Sequence, residues 1–280
     1  MAQEKSIQPG IRGWIQSVRP APVWFIVLAI VVYMAMAYLV NIVATPSQLL
    51  PSLPAATGYV VSKTFLNAIP FIIVVGSLLV LVGRLRWNDL GFSFQKLLSA
   101  LAWVCGTWIV AQLFFLLVHL GEVSLDPDWQ RMGIRNISNL VTGQLLGNSL
   151  VEEVFWRAFM ISQLVLVLVH GMKWSFSKAI GWAIIVVAIL FALSHLPHDV
   201  ANDRSVQQVI GMQVARLAGG LAFAGIFLLS RNIFVAIGLH GLVDVPLSLF
   251  EVNAEQMSAF MALAPLLVLA ILAIRRRIAT

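Results

Sequence analysis

The chain has 280 residues, 60% of them hydrophobic and only 11% charged, with a mean hydropathy of +0.93. A soluble domain carries about 25% charged residues, so a water-facing surface cannot be built from this composition. The net charge of +6 does not point to nucleic acid, because the basic residues sit at the termini and between apolar runs and form no single basic face.

Residues 1–22 are polar and basic and predict a cytoplasmic N-terminal segment. No small-residue cleavage site closes the apolar run that follows, so a retained helix is expected there. A helix needs about 20 apolar residues to cross a bilayer core. Runs that meet this demand lie at 23–44, 64–82, 98–120, 150–169, 179–196, 208–229, 233–250 and 257–274. They predict an all-α, polytopic transmembrane bundle of about eight spans, with 23–274 as one domain and 275–280 as a basic tail.

The mixed stretch 136–148, joined to the fourth run, would make a helix of roughly 50 Å at about 1.5 Å per residue. That exceeds a core of roughly 30 Å, so a bend or a separate interfacial helix is expected before Glu152. Gly143 with Gly147, and Ala218 with Ala222, have the four-residue spacing of close helix packing. Cys105, alone in an apolar run, reads as a small buried hydrophobe. Twelve Lys and Arg fall in segments on the N-terminal side of the membrane and four on the other. This positive-inside bias predicts cytoplasmic termini and, for the protein, the cell membrane.

Ionisable side chains at bilayer depth cost roughly 2.5–3.5 kcal/mol each on insertion scales, which makes them functional candidates. They are few. Val151–Arg157 reads V-E-E-V-F-W-R, with Glu153 and Arg157 one helical turn apart as an ion pair and Glu152 pointing about 100° away. Phe191–Asp199 reads F-A-L-S-H-L-P-H-D, with His195 just before the helix-ending Pro197 and His198 and Asp199 expected in a solvated loop. His240–Asp244 reads H-G-L-V-D, placing imidazole and carboxyl on one face. Arg216 is expected to snorkel or to pair with an acid.

Each element alone has an ordinary explanation: an intramembrane salt bridge, an interfacial histidine, a hydrogen bond between helices. A single site gathering all three explains them together. A buried carboxylate can take a proton from water that a histidine holds, and a second histidine can stabilise an oxyanion. The same Glu and two His could instead ligate zinc with a position left for water, although no H-E-x-x-H helix is present. The expectation is geometric: the Glu152 carboxyl should lie within direct or single-water reach of the imidazoles.

These motifs resemble those of the CAAX protease and bacteriocin-processing (ABI) family of intramembrane endopeptidases, which includes the type 2 CAAX prenyl endopeptidase. The family pattern of E-E-x-x-x-R, F-x-x-x-H and H-x-x-x-N/D is matched in order by Glu152-Glu153 with Arg157, Phe191 with His195, and His240 with Asp244. The resemblance implies that Glu152 activates water with His195, while His240 and Asp244 stabilise the oxyanion. Glu153 and Arg157 would be architectural or substrate-positioning. For the cofactor it leaves two options: one divalent metal such as zinc, held by Glu152, His195 and His240, or a metal-free glutamate mechanism. The implied partners are a peptide or membrane-protein substrate and the bilayer, with no nucleic acid. Two other readings stay open. One is a non-catalytic immunity or scaffold protein of the same fold. The other is a proton-coupled transporter, which should show broken helices and internal repeats; neither is visible in the sequence.

Overall fold

A computed structural model describes residues 10–43, 45–118, 124–125, 133, 135–250 and 264–274. Among them every regular element is a helix, apart from one isolated bridge between Leu125 and Phe250. A short helix, α1 (Ile11–Ser17), buries Ile15. Six spans then have the length and apolarity to cross a membrane: α2 (Val23–Leu49), α3 (Lys63–Val82), α4 (Phe94–Val118), α5 (Arg135–Gly171), Phe176–Ala201 and α8 (Val206–Ser230). The fifth of these is two helices, α6 (Phe176–Leu193) and α7 (Leu196–Ala201), with Pro197 in the first turn of the second. Two shorter apolar helices follow, α9 (Ile233–Asp244) and α10 (Ala264–Ile274). The architecture is the expected polytopic helical bundle. The expected start of the eighth span at Met257 and the tail 275–280 lie outside the described residues.

Two boundaries carry consequences. The helix in α5 is interrupted at Leu146–Gly147, where Gly147 takes φ −118° and ψ −108°, which supplies the bend expected ahead of Glu152. The seventh span is shorter than expected. It ends at Asp244 after 12 residues, about 18 Å at 1.5 Å per residue, and so does not cross the core. Pro246 is the cause, because its ring drives Val245 out of the helical region, where it sits at φ −135° and ψ 85°. The extended segment beyond is tied to α4: Trp108 Nε1 donates to Leu247 O at 3.0 Å, and Leu249 N donates to Gln112 Oε1 at 2.9 Å.

The core is built around α5. Phe155, Trp156 and Phe159 are fully buried, as are Glu153 and Arg157. Tyr33 of α2 stacks on Phe155 at 4.4 Å between ring centroids. Gln163 fixes the α1–α2 connection to α5, accepting from Ala21 N at 2.7 Å and donating to Arg19 O at 2.9 Å. By contrast α4 turns Leu98, Leu101, Leu113 and Leu117 outward, the surface a lipid-facing helix needs. Cys105 lies on that exposed side, which corrects the buried reading; nothing in an apolar sequence run distinguishes the lipid face from the core.

The small-residue pairs divide. A Cβ on Gly143 would stand 2.7 Å from Ser62 Oγ, so α5 approaches the start of α3 closely only because no side chain is there. Ala218 and Ala222 line a cavity. On α8 the close approach falls at Gly220, where an added Cβ would meet Ala188 at 3.2 Å.

Candidate active site

Glu152 and Glu153 follow directly on the break in α5, which turns the chain inward so that both carboxylates are buried. His195 occupies the turn between α6 and α7, and His240 stands one helical turn before the end of α9. The three motifs, far apart in sequence, meet. Glu152 Oε1 lies 3.5 Å from His195 Nε2, and Glu152 Oε2 lies 3.6 Å from His240 Nε2. This is single-water reach, as expected. Glu153 turns the other way: its Oε1 accepts from His240 Nδ1 at 2.8 Å, and its Oε2 is 3.3 Å from Arg157 Nε. Asp244 Oδ2 sits 3.7 Å from His240 Nε2, turned toward the imidazole.

Both imidazoles are oriented by their surroundings. Nδ1–H of His195 donates to the Phe191 carbonyl at 2.8 Å. A carbonyl can only accept, so in neutral His195 the lone pair is on Nε2, facing Glu152. His240 gives its Nδ1–H to the Glu153 carboxylate, so Nε2 can also donate only in the imidazolium form. Phe191 further supports the site by placing its ring 4.8 Å from His195 and 4.3 Å from the Arg157 guanidinium. A guanidinium over an aromatic face is a favourable desolvated arrangement.

A cavity of about 850 Å³ opens onto this cluster, lined by Glu152, His195, His240 and Asp244. It has the size of a site for a small molecule or a short peptide segment. Among the described residues, no group of three His, Cys, Asp or Glu side chains is placed to hold a metal ion. The two imidazoles address different oxygens of Glu152. The donor types suit zinc, and Glu152, His195 and His240 are the side chains that would hold it.

Three features escaped the sequence. Phe223 of α8 stacks on His240 at 4.9 Å and 24°; one Phe among many in apolar runs carries no mark. Tyr33 and Asn148 also line the cavity, and Asn148, polar and four residues before Glu152, was the one that could have been found. Asp199 corrects the solvated-loop expectation. It is fully buried, because α7 packs against α2 and Arg216 and Gln213 of α8 bind its carboxylate. Arg216, unaccompanied in an apolar helix, was the signal that a buried acid must exist. The helix breaks at Gly147 and after Asp244 also remove the argument that a transporter is disfavoured by unbroken helices.

The family model described as type II CAAX prenyl endopeptidase Rce1-like matches residues 135–246. No curated protein and no solved structure matches the chain. The matched stretch supplies Glu152, Glu153, Arg157, Phe191, His195, His240 and Asp244, while Tyr33 comes from outside it. Residues 135–246 are therefore similar to the type II CAAX prenyl endopeptidase Rce1-like family, and the apolar helices around them are those of an integral membrane protein.

Proposed function

We propose that this chain is an intramembrane endopeptidase that hydrolyses a peptide bond in a peptide or membrane-anchored protein, with Glu152 as general base. The observation that carries the reading is the placement of the two Glu152 oxygens opposite the Nε2 atoms of His195 and His240, at 3.5 and 3.6 Å. Separations of this size suit a bridging water. A water donating one hydrogen to Glu152 Oε1 and the other to His195 Nε2 presents its oxygen lone pair to a substrate carbonyl in the cavity. As that oxygen bonds to the carbonyl carbon, Glu152 takes its proton. The oxyanion forms beside His240, whose Nε2–H donates to it in the imidazolium form that Glu153 balances. Glu152 then returns the proton to the amine nitrogen as the C–N bond breaks.

Asp244, 3.7 Å from His240 Nε2, orients the imidazole in this scheme, and Glu153 holds it from the other side. Residues 23–274 act as one unit in the cell membrane, with both termini cytoplasmic, in keeping with the distribution of Lys and Arg. The helix interruptions beside the ionisable cluster also suit a proton path, so the decisive measurement is product formation.

Peptide products are to be identified by mass spectrometry from purified protein in lipid nanodiscs, with Glu152→Gln and His195→Ala as variants. Loss of a positioned general base costs about 10²–10⁴-fold, and both variants are expected to fall by that amount with unchanged thermal unfolding. Cleavage is expected to persist in a chelator. Full activity in both variants would refute the hydrolase reading, and reversible loss in the chelator would replace the water scheme with a metal one.

A further inference from the structure

The cavity carries charge of opposite sign at two places. Glu152 and Asp244 line it beside the two histidines, and Arg204 and Arg216 line it where α7 passes into α8. Asp199, the counter-charge of both arginines, is fully buried and does not line the cavity. One carboxylate thus serves two guanidiniums. Arg216 grips it with both Nη atoms, and Arg204 Nη1 stands off at 3.4 Å from an oxygen that Arg216 Nη2 already holds at 2.8 Å. Arg204, with 28% of its side chain exposed, adds one positive charge that Asp199 does not balance; the exposed Asp203 next to it in sequence forms no ion pair with it among the described residues.

Depth selects the ligand. Residue 204 lies between Ala201, where one membrane-length helix pair ends, and Val206, where the next begins, the place of a headgroup for helices that cross the bilayer. Val200 of α7 and Val206, Ile210 and Val214 of α8 are exposed around it, an apolar flank against which acyl chains pack. The amides at the start of α8 are not the attraction, because Ser205 and Gln208 close a reciprocal capping box there.

We propose that Arg204 and Arg216 form the headgroup site for an anionic phospholipid at the α7–α8 junction. The phosphate bonds to the free face of the Arg204 guanidinium, the more available of the two, and Arg216, clamped on Asp199, supplies the second positive charge. A headgroup held there borders the cavity mouth. The site stands independently of the hydrolase reading, since it concerns binding and not turnover.

The test uses the full chain, delipidated in detergent and titrated with phosphatidylglycerol or phosphatidylcholine, with bound lipid counted by native mass spectrometry. A Lys or Arg near a membrane surface contributes about 1 kcal/mol toward anionic lipid, so roughly fivefold to thirtyfold preference for phosphatidylglycerol is expected from the two. Arg204→Gln is expected to lose most of that preference and Arg204→Lys to keep it. Lys178→Gln, which removes a charge lying over Trp174, is expected to leave it intact. Equal losses in Arg204→Gln and Lys178→Gln would reduce the effect to diffuse attraction and overturn the site. Displacement of the lipid by equimolar glycerol phosphate would overturn the lipid assignment in favour of a soluble phosphate. Peptide cleavage has no part in either readout, so failure here leaves the protease reading where it stands.

Discussion

Among the described residues, the buried carboxylates of Asp199 and Glu153 both face arginine, and their bonding differs in kind. At Asp199 the carboxylate is saturated: Arg216 binds both oxygens, Gln213 Nε2 adds a bond at 3.1 Å, and Arg204 stands at 3.4 Å. At Glu153 one oxygen is committed to His240, and the other faces Arg157 Nε at 3.3 Å without a hydrogen bond of good geometry among the described residues. Neither terminal nitrogen of Arg157 has a hydrogen-bond partner among them. Buried ion pairs recover their desolvation cost only when the remaining lone pairs and protons are satisfied. The Asp199 carboxylate meets that condition, although Gln213 Oε1 beside it lacks a hydrogen-bond partner among the described residues, and it joins α7 to α8. The Glu153 pair does not, and what distinguishes it is the imidazole it holds.

If that contrast is one of stability against function, removing both charges at the second pair should spare the fold and cost the chemistry. Replacing a buried ion pair by apolar side chains is often neutral. In the double variant Glu153→Gln, Arg157→Met, the glutamine oxygen still accepts from His240 Nδ1–H but brings no negative charge to the imidazolium. We expect kcat to fall by about 10²–10⁴-fold, the range for a misassigned acid–base group, with the unfolding temperature within a few degrees of the parent. A collapse in stability with kcat per folded molecule preserved would reverse the assignment and make the pair a clamp like its counterpart.

The converse variant is Asp199→Ala. It strands Arg216, with 12% of its side chain exposed, and removes the anion that joins two helices. Breaking one partner of a buried pair costs about 3–5 kcal/mol, so a drop of roughly 10 °C or more in unfolding temperature is expected, read by differential scanning fluorimetry in detergent. An unchanged temperature would show that the cluster carries no structural load.

What was legible in the sequence divides along the same line. Glu152, Glu153, His195, His240 and Asp244 could be found because charge in an apolar run has no cheap explanation. The Glu153–Arg157 pair followed from helical spacing alone. Asp199 was misplaced because Pro197 and a run of polar residues after it look like a loop, and only packing shows that α7 folds back to bury the carboxyl. The short α9 was legible in principle, since a residue before proline leaves the helical region, but the apolar run continues to Phe250 and masks the break. Phe223 against His240 could not be read at all, because stacking on one face of α8 depends on where two helices cross.

The finest probe of the contrast is Gln213, whose Nε2 reaches Asp199 Oδ2 at 3.1 Å. If the Asp199 carboxylate is oversupplied with donors, deleting one neutral donor should cost only the net worth of a hydrogen bond, about 1 kcal/mol, because Arg216 still satisfies the same oxygen. Gln213→Leu keeps the side-chain volume similar and adds no charge, so a decrease of roughly 2–4 °C in unfolding temperature and unaltered hydrolysis are expected. A loss of several kcal/mol would mean that the arginines alone do not satisfy the acid. The cluster would then be as finely balanced as the Glu153 pair, and the distinction between the two buried carboxylates would rest on His240 alone.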